Sequence, residues 1–160
     1  MTSKQADAIL NSIVRKAARI PALRRRNPAP WTVTLRMNTR DAMARLNRKY
    51  RGKSGPTDVL SFDAPPVFRE RGILGELVVC RPVMNAQARA CGHSALAELK
   101  ILLTHGLLDL LGFDHERGPR AAKEMARWER RLLGNNAPAR GLISRGESAS
   151  MERSKKRRPS

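Results

Sequence analysis

The sequence predicts one domain that mixes helices with a few short strands, followed by a basic tail. A chain of 160 residues fits a single domain with an extension better than it fits two domains. Segments whose apolar residues recur at the helical period are interspersed with short segments that alternate apolar and polar side chains. One run, residues 101–111, is apolar almost all round, as a helix buried at the centre of a core would be. Hydrophobic residues make up 41% of the chain and aromatics only 4%, so the core should be modest and mostly aliphatic.

Taken in order, residues 5–20 read as an amphipathic helix, with Ala6, Ile9, Leu10, Ile13, Val14, Ala17 and Ile20 on one face and Pro21 closing it. Arg24, Arg25 and Arg26, with Pro28 and Pro30, form a basic, stiff loop whose arginines are either a solvated charge run or a phosphate contact. Trp31 to Met37 alternates, placing Val33, Leu35 and Met37 on one face of a half-buried strand. A helix capped by Asn38 follows to about Tyr50, burying Met43, Leu46 and Tyr50 and exposing Arg40, Arg45, Arg48 and Lys49. A loop rich in glycine and basic residues, Arg51 to Thr57, runs into a short strand at 58–62 that Pro65 and Pro66 end. Ile73 to Cys80 reads as a buried strand, with Glu76 either exposed at an edge or paired. Pro82 opens a helix to about Cys91. Ser94 caps the central apolar helix, with Glu98 near its positive end. A last helix runs from about Arg120 to Leu133, buries Ala121, Met125, Trp128 and Leu132, and stops at Gly134. The domain is thus expected over 1–135. Residues 136–160, poor in apolar side chains, are expected to be a disordered tail.

The charge balance narrows the partners. The formal net charge is +18 and the pI about 11.5, a field that attracts polyanions, nucleic acid first among them. From Asn135 onward there are seven basic and two acidic residues, so +5 lies in the tail and +13 in the folded part. No apolar run approaches the roughly 18 residues that span a bilayer, and the N-terminus lacks a signal-peptide pattern. Cys80 and Cys91, the only cysteines, are not spaced as a metal pair and suit a reducing cytoplasm.

The chemistry concentrates in Thr104 to His115. His105 and Asp109 are four apart and share a helix face. Gly112 permits the chain to turn, and His115 can swing back toward that face. Three such donors leave an open fourth position, the arrangement of a catalytic divalent metal. The spacing is that of the metzincin pattern H-E-x-x-H-x-x-G-x-x-H, with Gly106 where the general-base Glu would be and Asp109 where the second His would be. The missing base argues against a peptidase. The competing interpretation is a buried apolar helix with incidental polar residues. It would leave several polar groups desolvated at about 1–3 kcal/mol each. His93 reads as a surface or capping residue rather than a ligand.

These residues resemble the YbeY family of bacterial endoribonucleases, also called rRNA maturation factors. The family signature H-G-x-x-H-x-x-G-x-D-H corresponds to His105-Gly106-Leu107-Leu108-Asp109-Leu110-Leu111-Gly112-Phe113-Asp114-His115. A second signature is matched by Leu46-Asn47, Tyr50-Arg51-Gly52-Lys53 and Pro56 to Phe62, and a third by Leu74-Gly75-Glu76-Leu77-Val78. The resemblance covers roughly residues 6–135. It implies an α+β fold, a small mixed sheet of about four strands packed by five or so helices. It implies one divalent metal, usually zinc, at the positions His105, Asp109 and His115, and a catalytic role for Arg51. It implies single-strand-specific cleavage of RNA in maturation of 16S rRNA 3′ ends, with ribosomal particles, ribosomal proteins or assembly factors as partners, in the cytoplasm and away from membranes. The departure is Asp109. A carboxylate is an acceptable zinc ligand but is harder than imidazole and favours oxygen-preferring metals. An rRNA-binding assembly factor with a weakened or lost metal site is therefore the second reading, and a metallopeptidase the weakest.

Overall fold

The computed structural model describes residues 1–28 and 30–137. The expected disordered tail falls, apart from Asn136 and Ala137, outside these residues. Among them the chain forms seven helices and three strands: α1 (Ser3–Ala18), α2 (Pro21–Arg24), β1 (Thr32–Asn38), α3 (Arg40–Arg51), β2 (Val59–Asp63), α4 (Pro66–Arg69), β3 (Ile73–Cys80), α5 (Arg81–Cys91), α6 (Ala95–Leu110) and α7 (Pro119–Leu133). Short 3-10 turns follow at His115–Arg117 and Gly134–Asn136.

The fold is α+β with a mixed sheet ordered β1-β3-β2, in which β3 runs parallel to β1 and antiparallel to β2. Three strands replace the four that the family resemblance implies. The two segments left over between regular elements, 21–24 and 66–69, carry proline in their first helical turn and form single helical turns instead. A proline there fixes φ and removes the donor that a ladder would need.

Helix α1 begins on a capping box: the Thr2 hydroxyl accepts from the Gln5 amide while the Gln5 side chain accepts from the Thr2 amide. Its buried stripe is Ala6, Leu10, Val14 and Ala17. This stripe, Val33 of β1, Leu74, Leu77 and Val79 of β3, and the leucines of α6 make the principal core. On the opposite sheet face, Met43 of α3 packs with Leu60, Val78 and Cys80. Leu74 and Leu77 reach the same cluster although three apart, because the ladder slips at this point: Thr32 faces Ile73 but Val33 faces Gly75. That bulge needs Gly75, whose φ is +153° and whose missing Cβ would lie 2.1 Å from the Phe62 carbonyl oxygen.

Several expectations need correction. Tyr50 is not buried with Met43; it is 57% exposed, and Asn47 takes the buried place one turn earlier. In the last turn of α3 Tyr50 meets Phe62 of β2 by one ring contact and leaves most of its surface in solvent. Ala121 and Trp128 are only partly buried on α7, and Glu129 lies fully inside with Met125 and Leu132. Pro21 does not close α1, which ends at Ala18; it opens α2. The helix at 40–51 is capped by Thr39, whose hydroxyl accepts from the Ala42 amide, rather than by Asn38. Glu76 is paired: β3 is the central strand, and Arg36 on β1 meets the carboxylate at 3.2 Å.

Candidate metal centre

Helix α6 carries two of the three donors and is held where the sheet allows it. Gly106 faces β3, and a Cβ there would sit 2.7 Å from a methyl of Leu77. The residue that replaces the metzincin base therefore lets the helix approach the sheet. The Ser94 hydroxyl caps the N-terminus by accepting from the Ala97 amide. Glu98, fully buried, is met by His93, so that histidine is half-buried against a carboxylate rather than a surface or capping residue.

The turn after α6 aims the third donor. Gly112 is left-handed at φ +87°, and the Gly112 and Phe113 amides donate to the Asp109 and Leu108 carbonyls. Phe113 is buried against Trp128 and under the Arg26 guanidinium, 3.7 Å from the ring centroid. Arg26 thus packs on the turn, and neither the solvated nor the phosphate reading describes it. The Asp114 carboxylate accepts from the Glu116 amide at 2.9 Å and from Arg117 at 3.2 Å, which fixes the 3-10 turn that starts at His115.

The result brings the sequence-derived donors together. His105, Asp109 and His115 each offer one ligand atom, all within 4.8 Å of one another, a donor set able to hold a metal ion. The two imidazole rings stand 5.1 Å apart between centroids. His105 Nε2 lies 3.6 Å from an Asp109 oxygen. Two further observations fit a cation. His115 Nδ1 is buried with no hydrogen-bond partner among the described residues. His105 Nδ1 bonds Glu129 at 2.6 Å; in the neutral ring this makes Nδ1 the donor and frees the Nε2 lone pair on the side of Asp109.

Glu129 and Ser61 were not legible as site residues. Glu129 comes from α7, 24 positions after His105, and is buried. Its only sequence signal is its place four residues after Met125 on the buried stripe. Ser61 of β2 lies 3.2 Å from the Asp109 carboxylate and 3.4 Å from the Gly106 carbonyl, so its hydroxyl proton serves one or the other. Burial pushes the Asp109 carboxyl pKa up from 3.8, against the opposing pull of His105, His115 and Ser61. Burial acts downward on His105, but the Glu129 hydrogen bond and the Asp109 and Glu129 charges outweigh it, and the imidazole pKa is raised from 6.5.

The donors line a cleft of about 1100 Å³ between β2, α3, α5 and the turn that leads into α7. Arg51, at the end of α3, is on its wall. Its guanidinium meets Glu116, next to His115, at 2.5 Å. Asn47 holds the following loop by donating to the Gly55 carbonyl at 2.9 Å. Asp58 is fixed by Gln87 at 3.1 Å and by the Val59 amide at 2.8 Å.

Comparison with known proteins places the chain among relatives. The family model described as "Endoribonuclease YbeY" matches residues 1–136. A protein named Endoribonuclease YbeY from Chloroflexus aurantiacus is 37% identical over 133 residues, covering 77% of this chain and 84% of its own. One of the same name from Renibacterium salmoninarum is 44% identical over 111 residues, covering 62% and 70%. A solution structure from Thermotoga maritima superposes with a TM-score of 0.54 at 26% identity, covering 83% of this chain and 79% of that one. A family model matched over nearly all of the described residues, and relatives of this identity, settle the relationship: the chain belongs to the YbeY family of endoribonucleases.

Proposed function

We propose that this chain is a metal-dependent endoribonuclease that cuts single-stranded RNA and acts in the maturation of 16S rRNA 3′ ends during ribosome assembly, in the cytoplasm. The observation that carries the catalytic part is the convergence of His105, Asp109 and His115 at the floor of a cleft whose wall bears Arg51. Family membership and the net charge of +18 support RNA as substrate. Among the described residues no helix is long and apolar enough to cross a membrane.

A divalent metal, zinc by the family resemblance, would supply a Lewis acid that polarises a phosphoryl oxygen or acidifies water. The protein's own residues do the rest. Glu129 fixes the tautomer and ring plane of His105. Ser61 limits the positions open to the Asp109 carboxylate. Arg51 offers a planar donor fork for charge that builds on the phosphate during cleavage. Glu116 holds that fork in the resting protein and must yield it to substrate.

The test is cleavage of a single-stranded RNA with and without chelator, beside His105→Ala. Loss of cutting in both, with recovery on adding zinc or manganese to the wild type, is expected. Cutting that survives chelation and His105→Ala would remove the metal from the mechanism. The rival reading, an rRNA-binding assembly factor without catalytic power, is favoured by the carboxylate at position 109 alone. Full rescue of a ribosome assembly defect by a His105→Ala, His115→Ala double mutant would select it.

A further inference from the structure

The cleft rim carries an aromatic feature that neither the metal donors nor Arg51 explains. Tyr50, the chain's single tyrosine, is 57% exposed and lines the same cleft as His105, Asp109 and His115. It is not loose. Phe62 of β2 meets it with centroids 5.0 Å apart and ring planes at 75°. Phe62 is itself packed against the Met43, Leu60, Val78 and Cys80 cluster. Phe62 therefore braces the phenol ring, which lines the cleft and keeps 57% of its surface exposed. Gly52, left-handed at φ +64°, ends α3 directly after Arg51 and turns the chain back, and the Asn47–Gly55 hydrogen bond holds that turn.

Cations flank the ring, two of them, Arg51 and Lys53, sharing Glu116 in the resting protein. Lys49 Nζ lies 5.1 Å from its centroid, Arg51 follows it in sequence, and Lys53 lines the same cleft. An exposed flat ring flanked by cations suits a ligand that alternates flat π faces with negative charges. A single-stranded nucleic acid has that construction: cations take the phosphates, and the ring takes a base. A duplex does not offer it, because its bases are already stacked on one another.

We propose that Tyr50, braced by Phe62, is a stacking platform for one unpaired nucleobase beside the scissile phosphate, and thereby a residue that selects single-stranded over paired RNA. The proposal deepens the endoribonuclease reading and rests on it. Stacking does not depend on the identity of the base, since every base has a π face. The selection is thus for unpaired structure rather than sequence. The hydroxyl is not required, and phenylalanine should serve as well.

The test uses the full chain as purified and a short, unstructured, fluorescent 2′-O-methyl oligoribonucleotide, alone or annealed to its complement. Binding is followed by anisotropy over a range of salt, and the strand is checked on a gel afterwards. Tyr50→Phe should bind the single strand as the wild type does. Tyr50→Ala and Tyr50→Leu should bind it about tenfold more weakly, with duplex binding and the salt slope unchanged. On cleavable RNA the same two variants should raise KM and leave kcat. Because Tyr50 stands largely in solvent, the variants should melt with the wild type. Tyr50→Ala binding the single strand as tightly as the wild type would overturn the platform while leaving the nuclease reading intact. An equal loss for duplex would overturn it too. Failure of the wild type to bind any RNA would overturn both.

Discussion

At Asp109 a carboxylate stands where the related signature has an imidazole, and its surroundings decide what that does. Burial raises its pKa and Ser61 restrains it, so it is a held side chain rather than a surface acid. Asp109→His should raise the preference for zinc over manganese in a competition titration, because imidazole is the softer donor. Removing the Glu129 brace should act one step away from the metal. Glu129→Gln is expected to weaken metal affinity by about 10- to 100-fold, read by chelator competition. The pKa shifts give a signed pH effect. His105 and Asp109 both bind a proton more tightly in the folded, metal-free protein than in the unfolded chain. The stabilisation is complete below the unfolded values, 3.8 for Asp109 and 6.5 for His105, and is lost as pH rises through each raised folded value. The melting temperature of chelated protein should therefore gain less, or fall, as pH rises through this window. Metal affinity should climb over the same window, because both groups must shed protons to become ligands. A metal affinity flat from about pH 5 to pH 8 would contradict the donor assignment.

At the scale of elements, the approach of α6 to β3 places the site, and it depends on Gly106. Gly106→Ala would drive a Cβ to 2.7 Å from Leu77, which is fully buried and has little room to move. We expect a loss of about 1–3 kcal/mol in a denaturant melt, with metal affinity reduced as well. Gly75→Ala should cost more, since the obstacle is the Phe62 backbone carbonyl at 2.1 Å and the φ is unfavourable. These elements also show what the sequence could and could not say. The His105–Asp109 face was legible from a spacing of four, and the return of His115 from Gly112, because both are local geometry. The Val33, Leu35, Met37 face of β1 was legible from its alternation. Glu129 and Ser61 were not, because only tertiary packing brings α7 and β2 to α6. Tyr50 was misread for a related reason. Helical periodicity marks it as the next residue of a buried stripe, and nothing local reveals that only Phe62 covers it. The fourth strand came from resemblance alone, and the prolines at 21 and 66 favour helical turns.

For the molecule as a whole, the balance of charge and chemistry is uneven. Thirty-two basic residues against fourteen acidic ones give a field that attracts polyanions, whereas the candidate site groups are few, with His105 buried and Asp109 and His115 half-buried. Binding should therefore fall steeply with salt, and cleavage should respond to single residues. Arg51 separates the two. Arg51→Ala is expected to lower kcat by about 100-fold in a single-turnover assay, and Arg51→Lys to recover it only in part, because an ammonium keeps the charge but not the bidentate fork. Equal losses in binding and rate for every basic residue tested would instead make Arg51 one phosphate contact among many. The central claim is that His105, Asp109 and His115 together hold a metal. It is tested most directly by elemental mass spectrometry of the purified, untagged protein beside His115→Ala. About one divalent ion per chain in the wild type, lost in the variant, is the expected result. A wild type that stays empty after zinc and manganese are supplied would contradict the account and leave the chain an RNA-binding protein without a metal centre.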